Sequence, residues 1–338
     1  MITRSFTNSG EVTDWTEEIQ LIPRTYSKIS TLGLFEEIPV AAQTVTFDEV
    51  INSDALVGDK VRGERSYVGT DAVRKTMAWA IPHYPEGDFL LPGDIIGKRA
   101  YGSADQQETQ LAARMRKLER LNKLQADTLE YARAQLITKG TVYAPNGTSS
   151  INYFTEFGIT QTVVPFALGT GTTDLMTKDE AVIRAIQDNL LGSTMTGVVA
   201  LCSPEFFTAY TSHADFKDRY KYFASPENML RNRIGNDITS FYRSVNFGNI
   251  TFIEIPDSIG GNRLIDANNA YFVPTGSDIF KTYFAPANKF GLIGTAGEKI
   301  YAWEYPNGAH DDKIEFQTES NFLNACTKPG VIIKGTLS

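Results

Sequence analysis

From residue 103 to residue 140 the chain follows a helical rhythm. Leu111, Met115, Leu118, Gln125, Leu129, Ala132 and Leu136 recur at three- and four-residue steps, and Leu121 and Leu124 widen the stripe. Ser103 to Gln106 has the form of a capping box, and Lys139 followed by Gly140 has the form of a C-terminal stop. Neither proline nor glycine falls between these caps. A helix over 103–139 would be roughly 55 Å long, against a mean globular helix of about 11–12 residues. Asn122 and Gln125 interrupt a strict seven-residue repeat, so the stripe argues against a coiled coil.

Shorter patterns flank this helix. Residues 1 to about 24 are polar, with Trp15, Ile19, Leu21 and Ile22 as the only anchors, and cannot build a core of their own. A short helical or extended piece is expected over 27–37. Residues 43–50 alternate with Val45 and Phe47 on one face, and 73–81 return as a second strand. About twenty polar residues separate the two, which predicts a long two-stranded excursion that needs a neighbour to lie upon.

After Gly140, residues 141–162 predict short strands, and a Gly/Thr-rich linker runs over 169–174. Thr177 to Glu180 has a second capping-box form and opens a helix closed by Gly192. Residues 197–202 form an apolar run without alternation, as in a buried strand. Ser203-Pro204-Glu205 and Ser225-Pro226-Glu227 each place a serine cap, a proline and an acid at a helix start. Residues 215–223 predict another helix, 241–255 a hairpin turning at Phe247-Gly248, and 266–274 a strand. From 280 onward strands dominate, at 299–306, 313–320 and 329–336. The sequence therefore predicts an α+β chain with an α/β unit set between the long helix and the last strands.

Charge narrows the function. The 338 residues carry a formal net charge of −8 and a pI near 5.1, which argues against wrapping nucleic acid by neutralising phosphates. The basic run Arg114, Arg116, Lys117, Arg120 and Lys123 is expected on an exposed helix face or a subunit contact. Cys202 and Cys326 sit in apolar surroundings and predict buried free thiols in a reduced compartment. No apolar run approaches membrane-spanning length, and the N-terminus has no signal-peptide pattern, so a bacterial-type cytosol is expected.

Motifs for chemistry are weak. His83, His213 and His310 lack metal-site spacing, and His310 with Asp311 and Asp312 predicts a solvated turn. Residues 291–299 look like a phosphate loop but lack the Gly-Lys-Ser/Thr ending and precede a strand. Gly169-Thr-Gly171 lacks the third glycine of a dinucleotide fingerprint. The acid pairs Glu17-Glu18 and Glu36-Glu37 are expected to be solvated. No catalytic, cofactor-binding or metal residues are assigned, and no enzyme activity is expected.

The order of elements resembles the HK97-type bacteriophage major capsid proteins, and within them the lambda-type (gpE-like) family. The resemblance is carried by residues 27–39, by Val61-Arg62-Gly63, and by Ala78 to Tyr84. It continues through 95–101, the helix end 134–141, residues 315–323 and Thr327-Lys328-Pro329. It implies an HK97-like fold with an N-terminal arm (1–26), an extended loop (43–80), and a peripheral domain (27–42 and 81–164) holding the spine helix 103–139. An axial domain (165–280) and C-terminal strands of the peripheral domain (281–338) complete it. Arm and loop would reach onto neighbouring subunits.

The same resemblance implies self-assembly into hexamers and pentamers of an icosahedral head shell enclosing double-stranded DNA, without sequence-specific DNA binding and without a membrane partner. Portal, scaffolding and decoration proteins are the expected partners. Only a short arm precedes Ser27, so scaffolding is expected from another protein. The competing readings are an encapsulin-like nanocompartment shell and an enzyme of unrecognised type.

Overall fold

A computed structural model describes residues 13–21, 28–51, 73–96, 109–147, 151–223, 242–306 and 313–338. The chain opens with β1 (Thr13–Asp14), α1 (Thr16–Leu21), α2 (Lys28–Thr31) and β2 (Glu36–Pro39), followed by β3 (Thr44–Ile51), β4 (Val73–Ala80) and β5 (His83–Leu90). Then come the long helix α3 (Gln110–Lys139), the single turn α4 (Tyr153–Glu156), β6 (Val163–Pro165) and α5 (Leu175–Asn189). A strand-rich stretch follows: β7 (Gly197–Cys202), α6 (Pro204–Ser212), α7 (Ala214–Phe223), β8 (Ser244–Phe247), β9 (Ile250–Glu254), β10 (Ser258–Ile259) and β11 (Asn262–Arg263). The chain closes with β12 (Asn269–Thr275), β13 (Phe280–Phe284), β14 (Tyr301–Pro306), β15 (Ile314–Cys326) and β16 (Ile333–Thr336).

Two larger sheets organise these elements. In the first, β14, β15 and β13 carry β1 and β2 at the edges, and β5 pairs with β15 from Leu90 opposite Ile314 to His83 opposite Asn321. The second has the order β6-β16-β12-β7-β9-β8. The stretch 281–338, expected to belong wholly with the first group, divides: β16 leaves it and pairs with β12 and β6 in the second sheet.

The hairpin β3–β4 is a separate two-stranded ladder, in register from Thr44 opposite Ala80 to Ile51 opposite Val73. Residues 52–72 between its strands lie outside the described residues.

The long helix is shorter than its pattern predicts. Thr109 is its N-cap, extended at φ −89°, ψ 149°, and its hydroxyl accepts the Ala112 N–H at 3.3 Å. A residue with those dihedrals cannot continue a helix from Ser103, so α3 begins at Gln110 and is about 45 Å long. The expected cap at 103–106 lies outside the described residues. At the other end Gly140 takes φ +64° and its N–H bonds the Leu136 carbonyl, as predicted.

The stripe buries Leu118, Leu121, Leu129, Ala132 and Leu136, while Leu111 and Leu124 are exposed. Each fully buried leucine stabilises by about 1.5–3 kcal/mol. Along its length α3 serves separate apolar clusters. Leu118 and Leu121 meet Trp15, Ile19, Leu90 and Phe316. Leu129 and Ala132 meet Phe284 and Phe322. Leu136 and Ile137 join the main core, which continues into the second sheet.

Helix starts in the second half follow side-chain chemistry. Ser203 caps α6, accepting the Phe206 N–H at 3.2 Å, with Pro204 at the first position, as the sequence predicts. The cap of α5 is Asp174, not Thr177: its Oδ1 accepts the Met176 N–H at 3.1 Å, and the Thr177 hydroxyl donates to its Oδ2 at 2.9 Å. The earlier residue captures a free amide first, so α5 starts three residues sooner. Residues 153–156 form the helical turn α4 instead of a strand, because Asn152 accepts from the amides of Phe154 and Thr155. The Ser225-Pro226-Glu227 start lies outside the described residues. Among the described residues no helix is long and apolar enough to cross a membrane.

Candidate functional site

The residue types that could support catalysis are dispersed. Among the described residues no group of histidine, cysteine and acid side chains is placed to hold a metal ion. His83 Nδ1 lies 2.8 Å from Asn321 Oδ1 and 3.2 Å from Glu319 Oε1, on the face of the first sheet away from α3. His213, expected on a polar helix end, is buried: Nε2 is 3.0 Å from the Thr170 carbonyl oxygen and Nδ1 accepts the Asp215 N–H at 3.3 Å. His310, Asp311 and Asp312 lie outside the described residues. Cys202 and Cys326 are free and buried, and burial pushes both thiols up. An open cleft of about 510 Å³, lined by Tyr131, Gln135, Tyr143, Pro145 and Asn152 among others, carries no acid or base beyond its tyrosines. The loop 291–299 joins β13 to β14, as a turn between strands, and no helix follows it.

Part of the basic run on the long helix is paired within the subunit. Lys117 and Arg120 pair with Asp88 of β5 at 3.1 and 2.9 Å, and Arg114 pairs with Glu304 of β14 at 3.2 Å. Arg114, Lys117 and Arg120 of the basic run therefore fasten the helix to its own sheet, while Arg120 and Lys123 remain exposed. Glu37, expected to be solvated, is bound by Arg133 at 3.1 Å and by Lys299. Burial alone would raise its carboxyl, but these two cations outweigh it and hold it below the ordinary carboxylate range.

What distinguishes the chain is surface that its own fold leaves incomplete. The hairpin β3–β4 docks by one face at its base. Met77 and Trp79 are buried there, with Trp79 edge-on to Tyr153 and Phe47 edge-on to Tyr283 at ring separations of 5.0 and 5.5 Å. Lys75 Nζ donates to the Glu156 carbonyl at 2.8 Å. Thr44, Thr46, Asp48, Thr76, Ala78 and Ala80 on the other face are exposed.

A second protrusion follows β13. Lys289 Nζ lies 4.8 Å from the Trp303 ring centroid and 5.1 Å from that of Tyr305, and Leu292 packs beneath. Above this base Phe290 is 95 % exposed and Ile293 75 % exposed.

The N-terminal segment is partly self-docked, which corrects the expectation that the whole arm leaves the subunit. Trp15 and Ile19 are buried, Trp15 Nε1 donates to Glu304 Oε2 at 2.9 Å, and the Trp15 N–H bonds the Ala302 carbonyl at 2.9 Å. Leu21 is the last residue of α1; residues 1–12 and 22–27 lie outside the described residues. Sequence reasoning missed two functional anchors on α3, Glu130 and Arg133. Both are buried and clamp the segment leading to the hairpin. Their one signal was position: each lies one residue beyond a stripe member, Leu129 or Ala132.

The comparisons with known proteins agree with this picture. A family model described as Phage major capsid protein E matches residues 11–337. The major capsid protein of Pseudomonas phage KPP10 is 38% identical over 347 residues, covering 98% of both chains, and that of Salmonella phage Felix O1 is 24% identical over 98% of both. Among solved structures, the capsid of cyanophage P-SCSP1u matches with a TM-score of 0.56 at 10% identity, covering 93% of this chain and 88% of that one. The capsid of Ralstonia phage GP4 matches with a TM-score of 0.54 at 12% identity, covering 100% and 98%. The fold is the HK97-like capsid fold, and the chain belongs to the phage major capsid protein E family.

Proposed function

We propose that this major capsid protein assembles into hexamers and pentamers that close into an icosahedral head shell around double-stranded DNA. The observation that carries the proposal is the β3–β4 hairpin: among the described residues it pairs with neither larger sheet, and one face of its ladder is uncovered. Two strands alone are marginally stable in water, so a neighbouring subunit is the natural cover. Symmetry supplies that neighbour, since heterologous contacts close into rings.

In this reading the first sheet with α3 is the peripheral domain, and the second sheet with α5, α6 and α7 is the axial domain meeting its copies at capsomer centres. The β16 strand is added to the axial side. Residues 43–80 are the extended loop, and residues before β1 are the part of the arm that reaches outward. Portal, scaffolding and decoration proteins are the expected partners, and assembly takes place in the host cytoplasm. A net charge of −8 favours a wall along which DNA slides without adhering. The chain's family is structural and not an enzyme class.

Expression of the full chain, alone and with its neighbouring genes, followed by negative-stain microscopy, tests the proposal. Capsomers or shells are expected. Monomers under every assembly condition overturn it. Deleting residues 1–12 or 52–72 should abolish assembly while leaving a folded subunit; normal assembly of both would remove those segments from the contacts.

A further inference from the structure

Among the described residues, the half of the chain built on the second sheet buries one carboxyl group without a cation. Asp179 of α5 is 1% exposed. Its Oδ2 accepts the Tyr210 hydroxyl of α6 at 2.6 Å, and its Oδ1 has no hydrogen-bond partner among the described residues. The turn between β8 and β9 closes against the same group: a Cβ placed on Gly248 would lie 3.4 Å from Oδ2. Gly248 at φ +57° and Asn249 at φ +67° give this turn the doubly left-handed form of tight hairpins, which brings backbone, not side chain, up to the acid. One carboxyl thus sits where α5, α6 and the β8–β9 turn meet.

Among the described residues, the charged groups facing it offer no compensation. From the start of α5 comes Asp174, and from α7 comes Asp215; both add negative charge. Tyr210 contributes its hydroxyl from α6, and Cys202 a buried thiol from β7. Glu254 of β9 bears on Cys202 and is itself held by Arg243. Arg219 of α7 is engaged by Asp215 at 2.8 Å and by Asp174 at 3.0 Å, on the exposed side. Ionising a carboxyl in such surroundings is strongly unfavourable.

We propose that Asp179 is a proton-linked latch: neutral, it closes the corner where α5, α6 and the β8–β9 turn meet, and ionised it favours opening of that corner while the first sheet stays folded. Burial pushes the Asp179 carboxyl up to about 8, with the Tyr210 hydrogen bond opposing and Asp215 and Asp174 adding to the rise. In an open corner the group is wet and returns toward 3.8. Opening therefore releases a proton at every pH between those values. The opening equilibrium rises about tenfold per pH unit across that interval and levels off above about 8. Acid tightens the corner, and neutral to alkaline conditions loosen it. The inference concerns the subunit and stands whether or not the subunit assembles as proposed above.

Hydrogen exchange on the full chain from pH 5 to pH 9 tests it. After correction for intrinsic base catalysis, protection of α6 and β9 amides should fall about tenfold per unit up to about pH 8 and then level. In Asp179→Asn that slope should vanish, with β15 amides unchanged in both proteins. The same slope in both proteins overturns the latch. Carboxyl-carbon NMR titration of Asp179 in the unmutated chain decides independently if the variant does not fold. A midpoint near 8 supports the latch, and a midpoint near 4 overturns it.

Discussion

Glu130, on the long helix α3, accepts the backbone N–H of Ile29 at 2.7 Å, although 101 residues separate the two in the chain. Its second oxygen takes the Ser30 N–H at 3.1 Å and the Ser30 hydroxyl at 2.6 Å. The four-residue helix α2 is too short to hold itself, and a buried carboxylate on the spine satisfies its first free amides. This contact sets the path of the chain into β2 and then into the hairpin. Glu130→Ala should destabilise the subunit by about 3 kcal/mol, and Glu130→Gln by roughly half of that, in denaturant unfolding at neutral pH.

Arg133 extends the clamp one turn along the spine. It donates to the Ser30 hydroxyl at 2.8 Å, to Glu37 at 3.1 Å and to Thr282 at 3.1 Å, and its guanidinium lies 5.0 Å from the Phe35 ring centroid. Arg133→Met should cost about 2–3 kcal/mol, since Glu37 keeps Lys299. The acid limb should change as well. The folded value of Glu37 is depressed, so its contribution is present above 4.5 and is lost as pH falls through that folded value. The variant should therefore show a shallower loss of stability below pH 4.5, read from unfolding midpoints across a pH series.

Gly140 closes α3 in the left-handed region, and a Cβ there would run into the Phe154 ring. Gly140→Ala should destabilise by about 2–3 kcal/mol, combining the backbone penalty with overpacking. Pairing it with Phe154→Ala should give a double variant less destabilised than the sum of the singles, because the ring is then gone. A thermal-unfolding cycle of the four proteins measures this coupling.

Phe290 and Ile293 contribute little to the subunit that carries them. Phe290→Ser and Ile293→Ser together should leave unfolding stability within about 0.5 kcal/mol. If the protrusion meets another copy, particle yield on a sedimentation gradient should fall at least tenfold. Wild-type yield would exclude the protrusion from the contacts.

The parts of the fold that local chemistry dictates were legible in the sequence. Ser203-Pro204 reads as a helix start because cap and proline act within three residues, and β3–β4 reads as a two-stranded excursion because Val45 and Phe47 alternate and residues 73–81 return as a second strand; that Met77 and Trp79 share their face emerges only from the register. β5 was not legible. Its sequence, HYPEGDFL, contains a proline and a glycine, and only pairing with β15 over eight residues makes it a strand. Pro85 is tolerated because β5 pairs on one side alone. The roles of Glu130 and Arg133 were equally hidden, since their partners lie about a hundred residues away and a charged residue beside an apolar stripe reads as solvated. The ion pairs of Arg114, Lys117 and Arg120 were hidden for the same reason: Asp88 and Glu304 meet them only after the first sheet has formed.

β16 lies between β6 and β12 in the second sheet, yet it is made last, after the strands of the first. Until residue 336 has been synthesised, β12 lacks one of its two neighbours and the β6 strand has nowhere to pair. Residues 327–332 carry the chain from β15 in the first sheet straight into β16 in the second. A load applied to one sheet therefore reaches the other through the strand it would have to unzip, and the two halves resist separation as one unit.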